Sequence, residues 1–371
     1  MNHKLLLLGI LLIQFSSAVR ADGPDGATQA LIQALGLRAA STATRDLEGW
    51  AVPAKVVVRT WDPGQLAALS EVAPGVELVA VSTEAEALEA MPGASALLGF
   101  CEEDLLEAGK SLHWVQVYSA GVEHCTELAP MQSGRMLLSN AQHIGSPVLA
   151  ETSIAMMMSL ARGLDIYYRN QLEGKWARDV GEPAGTFMEI EGRTMLVVGL
   201  GGIGTEVARR AHGLGMRVIA TRGSSREGPD FVDYVGLASE LDDLTPQADV
   251  VVNTTPLTDQ TRGLFDRAFF QRMKPTAFFI SVGRGGSTVT DDLVAALENG
   301  EIAGAGLDVT DPEPLPEGHP LWSAPRVLIT PHTAGRGDRN RERLMLLVRE
   351  NLRRYVAGDP LLSVVDVSRG Y

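Results

Sequence analysis

Short apolar runs recur along the chain at the spacing of a βα repeat. Residues 55–59 (KVVVR), 77–81 (ELVAV), 96–99 (ALLG) and 114–117 (WVQV) read as buried strands, with helices at 62–70, 84–91 and 102–108 between them. Further strands are predicted at 194–198, 216–221, 249–254, 277–282, 304–309 and 327–330, with a helix at about 203–214 after the first of these. Strands alternating with helices predict an α/β fold on parallel sheets.

Three stretches depart from that rhythm. Residues 22–50 are rich in Gly and Ala, hold one amphipathic helix at 28–37, and read as an N-terminal extension. A long helix is predicted over 146–172, with Ser146 as N-cap, Pro147 at the first helical position and Glu151 in its early turns. Its Met156-Met157-Met158 triplet marks core or interface, and the helix is read as a link between domains that contributes to a dimer contact. A last helix is predicted over 340–357, and the tail PLLSVVDVSRGY is apolar enough to pack back on the first domain.

The first 21 residues carry a different pattern. His3 and Lys4 form a basic start, residues 5–15 an apolar core, and Val19-Arg20-Ala21 a small-x-small end before Asp22, as in a secretory signal peptide. No cysteine follows for lipidation and no twin arginine precedes. The expectation is export, periplasmic in a bacterium, or a cytoplasmic protein if the leader is not functional. Beyond the leader, the richest apolar stretch, 154–164, is too short to span a bilayer and is flanked by Glu151 and Arg162.

Composition narrows the function classes. A chain of 371 residues favours two domains, and a net charge of −14 with no basic stripe argues against a nucleic-acid partner. Cys101 and Cys125 are expected as two buried free thiols, with a disulfide the alternative in an exported protein. The seven histidines form no H-x-x-x-H or Cys/His grouping, so no metal site is expected.

The chemistry starts at VVGLGGIG, where Gly199, Gly201 and Gly204 stand between a strand and a helix, with a second strand closing the unit within about 30 residues. The first glycine permits the tight turn, the second lets backbone approach a pyrophosphate, and the third lets helix pack on strand. The helix N-terminus offers N–H groups to the phosphates. NAD users place an acid at the end of the second strand for the ribose 2′-hydroxyl. Here the strand ends in Thr221-Arg222, with Ser224, Ser225 and Arg226 following, so NADP(H) is expected in preference to NAD(H).

Three further residues stand at turns after strands: Arg284 in ISVGRGG, Glu313 in LDVTDPEPLP and His332 in ITPHTAG. In an open α/β sheet, ligands bind outside the carboxyl ends of the strands. An arginine there can hold a carboxylate through two parallel hydrogen bonds. A histidine can pass a proton near neutral pH, and a neighbouring carboxylate fixes its tautomer and favours its charged form. Singly each reads as a turn, loop or capping residue. Together, behind a dinucleotide motif, they form a reacting set.

Over residues 95–371 the chain resembles the D-isomer-specific 2-hydroxyacid dehydrogenase family. The resemblance is carried by SAGVEH (119–124), VVGLGGIG, NTTPLTDQTRGLF (253–265), ISVGRGGSTVTDDLVAAL, AGAGLDVTDPEPLPEGHPLW and ITPHTAG, in order and at matching spacing. It implies a Rossmann-type doubly wound parallel sheet, over 147–335, inserted in a smaller flavodoxin-like α/β substrate domain made of 51–146 and 336–371. It also implies that Arg284 binds the substrate carboxylate and polarises the keto oxygen, that His332 donates the proton, and that Glu313 holds His332 and keeps it protonated. The amides of Ser119, Ala120, Gly121 and Val122 would hold the carboxylate from the other domain. Asp308 would lie near the nicotinamide amide, and Gly202, Ile203, Thr255, Pro256, Val282, Gly283 and Ala334 would complete the cofactor groove.

The PEPLPEGHPLW and NLRRYVAGDPLLSVVD segments are similar to the glyoxylate, hydroxypyruvate and general 2-keto acid reductases of that family. The expected function is therefore an NADPH-dependent 2-keto acid reductase giving D-2-hydroxy acids, as a homodimer acting on small molecules. The alternative is a non-catalytic exported dinucleotide-binding sensor on the same fold. A sensor has no need of a proton donor. Free NADPH, however, is not expected outside the cytoplasm.

Overall fold

The computed structural model describes residues 23–60, 63–178, 187–223 and 225–370. The leader expected over 1–21 and the cofactor-site candidate Ser224 lie outside the described residues. Five strands form a first parallel sheet: β1 (Lys55–Arg59), β2 (Glu77–Val81), β3 (Ala96–Leu98), β4 (Trp114–Gln116) and β5 (Leu137–Ser139), in the order β2-β1-β3-β4-β5. That is the flavodoxin-like winding. Seven more form the second: β6 (Thr194–Val198), β7 (Arg217–Arg222), β8 (Tyr234–Leu237), β9 (Val250–Asn253), β10 (Phe278–Ser281), β11 (Gly304–Leu307) and β12 (Val327–Ile329), in the order β12-β11-β10-β9-β6-β7-β8. The strand order reverses between β6 and β9, the switch point of a Rossmann sheet, where a ligand crevice opens. No helix among the described residues is long and apolar enough to cross a membrane.

The helices are α1 (Gly26–Leu35), α2 (Pro63–Val72), α3 (Glu84–Ala90), α4 (Glu103–Ala108), α5 (Glu123–Thr126), α6 (Ala129–Gln132), α7 (Ser146–Ala161), α8 (Leu164–Leu172), α9 (Gly202–Gly213), α10 (Leu241–Leu244), α11 (Arg267–Arg272), α12 (Thr290–Glu298) and α13 (Asn340–Ala357). The long helix expected over 146–172 is two helices. Gly163, at φ 63°, takes the left-handed conformation that breaks the run between α7 and α8. The N-cap of α7 is Gly145, so Ser146 and Pro147 move one position into the helix.

The methionines of α7 are core. Met156 and Met157 are buried in the core that α7 forms over the second sheet, where the helix lies on β10 and β11. A Cβ on Gly306 would lie 2.8 Å from the Met156 Cβ, so the GAGL strand β11 is small where the helix lies close. The dimer contact expected of this helix is not offered by those two side chains.

α13 and the tail that follows pack on the first sheet. Leu347, Val348, Leu352 and Tyr355 are buried there, and Leu361 and Leu362 join the same core. A buried polar network fixes the junction. Trp114 Nε1 donates to Ser139 Oγ (2.7 Å), which donates to Gln116 Oε1 (2.8 Å), and Asn351 Nδ2 donates to the same Gln116 oxygen (2.9 Å). Every member of such a network must be paired, since an unpaired buried polar group costs about 1–3 kcal/mol.

Cys101 and Cys125 are joined in a disulfide, with Cα atoms 5.7 Å apart, which corrects the expectation of two free thiols. Cys101 follows β3 and Cys125 lies in α5 after β4; these two strands pair side by side, and both cysteines are buried in one core.

Candidate active site

The glycine turn builds one wall of the crevice. Gly199 has φ 97°, and a Cβ there would press on Thr254 and Thr255 at 3.1–3.2 Å. A Cβ on Gly201 would meet no atom within 4 Å, so the second glycine faces open space. At Gly204 a Cβ would overlap the Gly199 carbonyl oxygen and lie 2.9 Å from Val197, which ties α9 tightly to β6. α9 starts at Gly202 with no side-chain cap, leaving its first N–H groups directed into the crevice mouth. Ile203 is half-buried beside Gly202.

The opposite wall is built from the ends of β9, β10 and β11. Asn253 is fully buried. It accepts from Thr255 N (3.0 Å) and Thr255 Oγ1 (2.8 Å) and donates to Ser281 Oγ (3.0 Å) and Ser287 Oγ (2.8 Å). Pro256 follows, exposed, and Val282 and Gly283 are buried. A Cβ on Gly283 would come within 2.7 Å of the Thr255 carbonyl oxygen, so the two loops touch.

Asp308, at the end of β11, is the anchor of this wall. Its Oδ1 accepts from Thr330 Oγ1 (2.6 Å), Thr333 N (2.8 Å) and Ala334 N (2.9 Å), and its carbonyl accepts from His332 N (2.8 Å). Its Oδ2 is buried with no hydrogen-bond partner among the described residues. A buried carboxylate oxygen without a donor is costly, and the donor that suits it is a ligand amide. With the open face of Gly201 and the uncapped α9, this fits a nicotinamide dinucleotide in the crevice.

The reacting set stands on the same edge. His332, at φ 53°, holds Nδ1 2.5 Å from Glu313 Oε1. A carboxylate oxygen only accepts, so Nδ1 carries a proton and Nε2 is the nitrogen left for substrate. Both side chains are open to solvent, at 49% and 40% exposure. Arg284 donates from Nε to Glu123 Oε1 (2.9 Å) and from Nη1 to the Gly283 carbonyl (2.9 Å). A Cβ on Gly285 would overlap the Thr310 carbonyl, so this loop lies against the segment that leads to Glu313.

The Ser119–Val122 loop faces Arg284 from the first sheet. Its carbonyls are all used within the protein: Ser119 O by Ala141 N, Ala120 O by Asn140 Nδ2, Gly121 O by Ser119 Oγ, and Val122 O by Cys125 N and Thr126 N. What the loop offers a carboxylate is its N–H groups.

The corner expected to choose the cofactor is less simple than the sequence reading. Thr221 is buried at the end of β7, and Arg222 donates from Nη1 to the Glu227 carbonyl (3.1 Å). Arg226 is engaged: Nη2 lies 2.8 Å from Glu240 Oε2 and Nη1 donates to Tyr234 Oη at 3.0 Å. The Tyr234 hydroxyl, the Leu237 N–H and Arg226 together hold the Glu240 carboxyl far down, at about 2. Sequence reasoning missed Glu240, which arrives from beyond β8, and Glu123, which stands inside the SAGVEH motif.

The profile of the family described as "D-isomer specific 2-hydroxyacid dehydrogenase, NAD binding domain" matches residues 154–334. Glyoxylate/hydroxypyruvate reductase B of Klebsiella pneumoniae is 32% identical over 275 residues, covering 73% of this chain and 84% of that protein. The human glyoxylate reductase/hydroxypyruvate reductase is 31% identical over 257 residues, covering 69% and 77%. A crystal structure of the NADPH-dependent glyoxylate/hydroxypyruvate reductase of Sinorhizobium meliloti, with NADP and sulfate, superposes with a TM-score of 0.73 at 28% identity, covering 86% of this chain and all (100%) of that one.

Proposed function

The chain belongs to the D-isomer-specific 2-hydroxyacid dehydrogenase family and is an NAD(P)-dependent oxidoreductase; from that premise we propose that it reduces a small 2-keto acid of the glyoxylate or hydroxypyruvate class with NADPH, giving the D-2-hydroxy acid. The observation that carries this reading is the convergence, on the carboxyl edge that bears the glycine turn, of Arg284, the His332–Glu313 pair and the orphaned Asp308 Oδ2. A sensor of the same fold gains nothing from a histidine held on a carboxylate.

The division of labour follows from the geometry. Gly199, Gly201, Gly204 and the N-terminus of α9 would hold the pyrophosphate, and Asp308 Oδ2 the carboxamide. When bound, the cofactor supplies the hydride. Arg284 and the amides of Ser119–Val122 orient the substrate carboxylate, and the guanidinium draws charge from the keto oxygen. His332 passes its Nε2 proton to that oxygen while Nδ1–H stays on Glu313, so the ring ends neutral in the tautomer the carboxylate selects. The open exposure of His332 and Glu313 points to closure of the two sheets over the substrate, which strengthens these contacts by expelling water.

Purified protein starting at Asp22 should oxidise NADPH with hydroxypyruvate or glyoxylate. His332→Ala should lower kcat about 10²–10⁴-fold, the usual share of a general acid. Equal turnover by the variant and the wild type would sink the mechanism.

A second copy of the chain is the partner that suits the surface of α8. Leu164, Tyr168, Leu172 and Trp176 stand 53, 59, 70 and 90% exposed. Apolar patches of this kind mark protein–protein contacts, and a two-fold pair is the commonest closed arrangement.

A further inference from the structure

Arg284 has five N–H donors, and two of them are spent on the protein: Nε on Glu123 Oε1 and Nη1 on its neighbour's carbonyl, each at 2.9 Å. Glu123 comes from α5 of the first sheet's unit, 161 positions away, so this ion pair crosses the cleft in which the substrate must lie. The helix that carries it is pinned. Its N–H groups at Cys125 and Thr126 close on Val122 O, and Cys125 is bonded to Cys101. A Cβ on Gly121 would overlap Arg284 Nη2 and lie 2.8 Å from Glu123 Oε2. The corner of the guanidinium that Glu123 leaves unused therefore rests against the loop whose amides are on offer.

An acid beside the residue that binds a carboxylate can act in two ways of opposite sign. As a mere counter-ion it competes with the substrate, and its removal tightens binding. As a strap on Nε it fixes the plane of the guanidinium so that Nη2 and the amides of Ser119–Val122 address one carboxylate together. The planar fork has fixed geometry, so holding one edge aims the others. We propose that Glu123 is a positioning residue for Arg284, a cross-cleft strap that sets the affinity of the site for the carboxylate of a 2-keto acid. The proposal rests on the reductase reading above.

Glu123→Ala and Glu123→Gln test it, with hydroxypyruvate as substrate and oxamate as a non-reacting carboxylate. The Ala variant should raise both the KM for hydroxypyruvate and the dissociation constant for oxamate by about tenfold or more, the scale of one charge-assisted contact. The NADPH dissociation constant should stay within about twofold, which also shows the variant folded. Gln keeps an oxygen acceptor for Nε–H and should fall between Ala and wild type. The Arg284 Nε–H resonance, assigned by its loss in Arg284→Lys, should move in both Glu123 variants before any ligand is added. Unchanged or tighter oxamate binding in the Ala and Gln variants would overturn the proposal, as would an unmoved resonance. If wild type reduces no 2-keto acid, the reductase reading fails, and the oxamate and resonance measurements still decide the role of Glu123.

Discussion

On the proposed preference for NADPH, Arg222 is the residue on which cofactor choice would turn. It ends β7 where an NAD user carries an acid, and among the described residues its guanidinium donates to the Glu227 carbonyl. Arg226 is committed to Glu240 and Tyr234, so the 2′-phosphate would rely chiefly on Arg222. Arg222→Asp should lower kcat/KM for NADPH by about tenfold or more, with NADH changed little or improved. An unchanged ratio of the two cofactors would remove Arg222 from this role. At this scale Arg284, Glu313 and His332 are legible in the sequence, because each stands just past an apolar run and carries chemistry no turn requires. Glu123 is not, because its partner lies 161 positions away and its motif reads as a loop of amides. Asp308 is half legible. The family resemblance implies a cofactor contact, but not that its other oxygen anchors the whole His332 turn through Thr330, Thr333 and Ala334.

Elements are held in place by a few buried polar pairs as well as by apolar packing. Asp165, in the first turn of α8, takes a two-point grip from Arg326 beside β12, with Nε on Oδ2 and Nη2 on Oδ1, both at 3.0 Å. The two side chains are 2% and 9% exposed. Removing one member leaves the other charge buried and unpaired, so Asp165→Ala should destabilise by about 3–5 kcal/mol in urea unfolding. Replacing both, Asp165→Leu with Arg326→Met, should recover most of that loss. Recovery by the double variant is the informative result, since a loss as large as the single variant's would mean the pair does more than neutralise itself. The long strands and α9 were legible from their apolar runs. β5 and β8 were missed because a run of three or four residues inside a polar context carries little periodicity. The break at Gly163 was missed because an isolated glycine in a helical pattern is usually tolerated.

The whole molecule brings two parallel sheets together so that one supplies a dinucleotide crevice and the other the amide loop. Exposed α8 and Trp176 project from the second unit, and on the homodimer proposal Leu172→Asp with Trp176→Asp should convert a dimer to a monomer in light scattering. A wild type that is already monomeric would contradict it. If the protein is exported, as we propose from residues 1–21, the Cys101–Cys125 disulfide would persist there, because such bonds last in oxidising compartments. The pairing was not legible, since the cysteines stand 24 positions apart and only the sheet order makes them neighbours. On the proposed function, the crevice and the Arg284–Glu313–His332 edge form one reducing site. The most direct measurement supplies NADPH deuterated on its transferring carbon, with hydroxypyruvate, and examines the product by mass and chirality. The predicted result is D-glycerate with deuterium on the carbon that carried the keto oxygen, formed by wild type and nearly abolished in His332→Ala; L-glycerate, product without deuterium, or equal formation by the variant would contradict it.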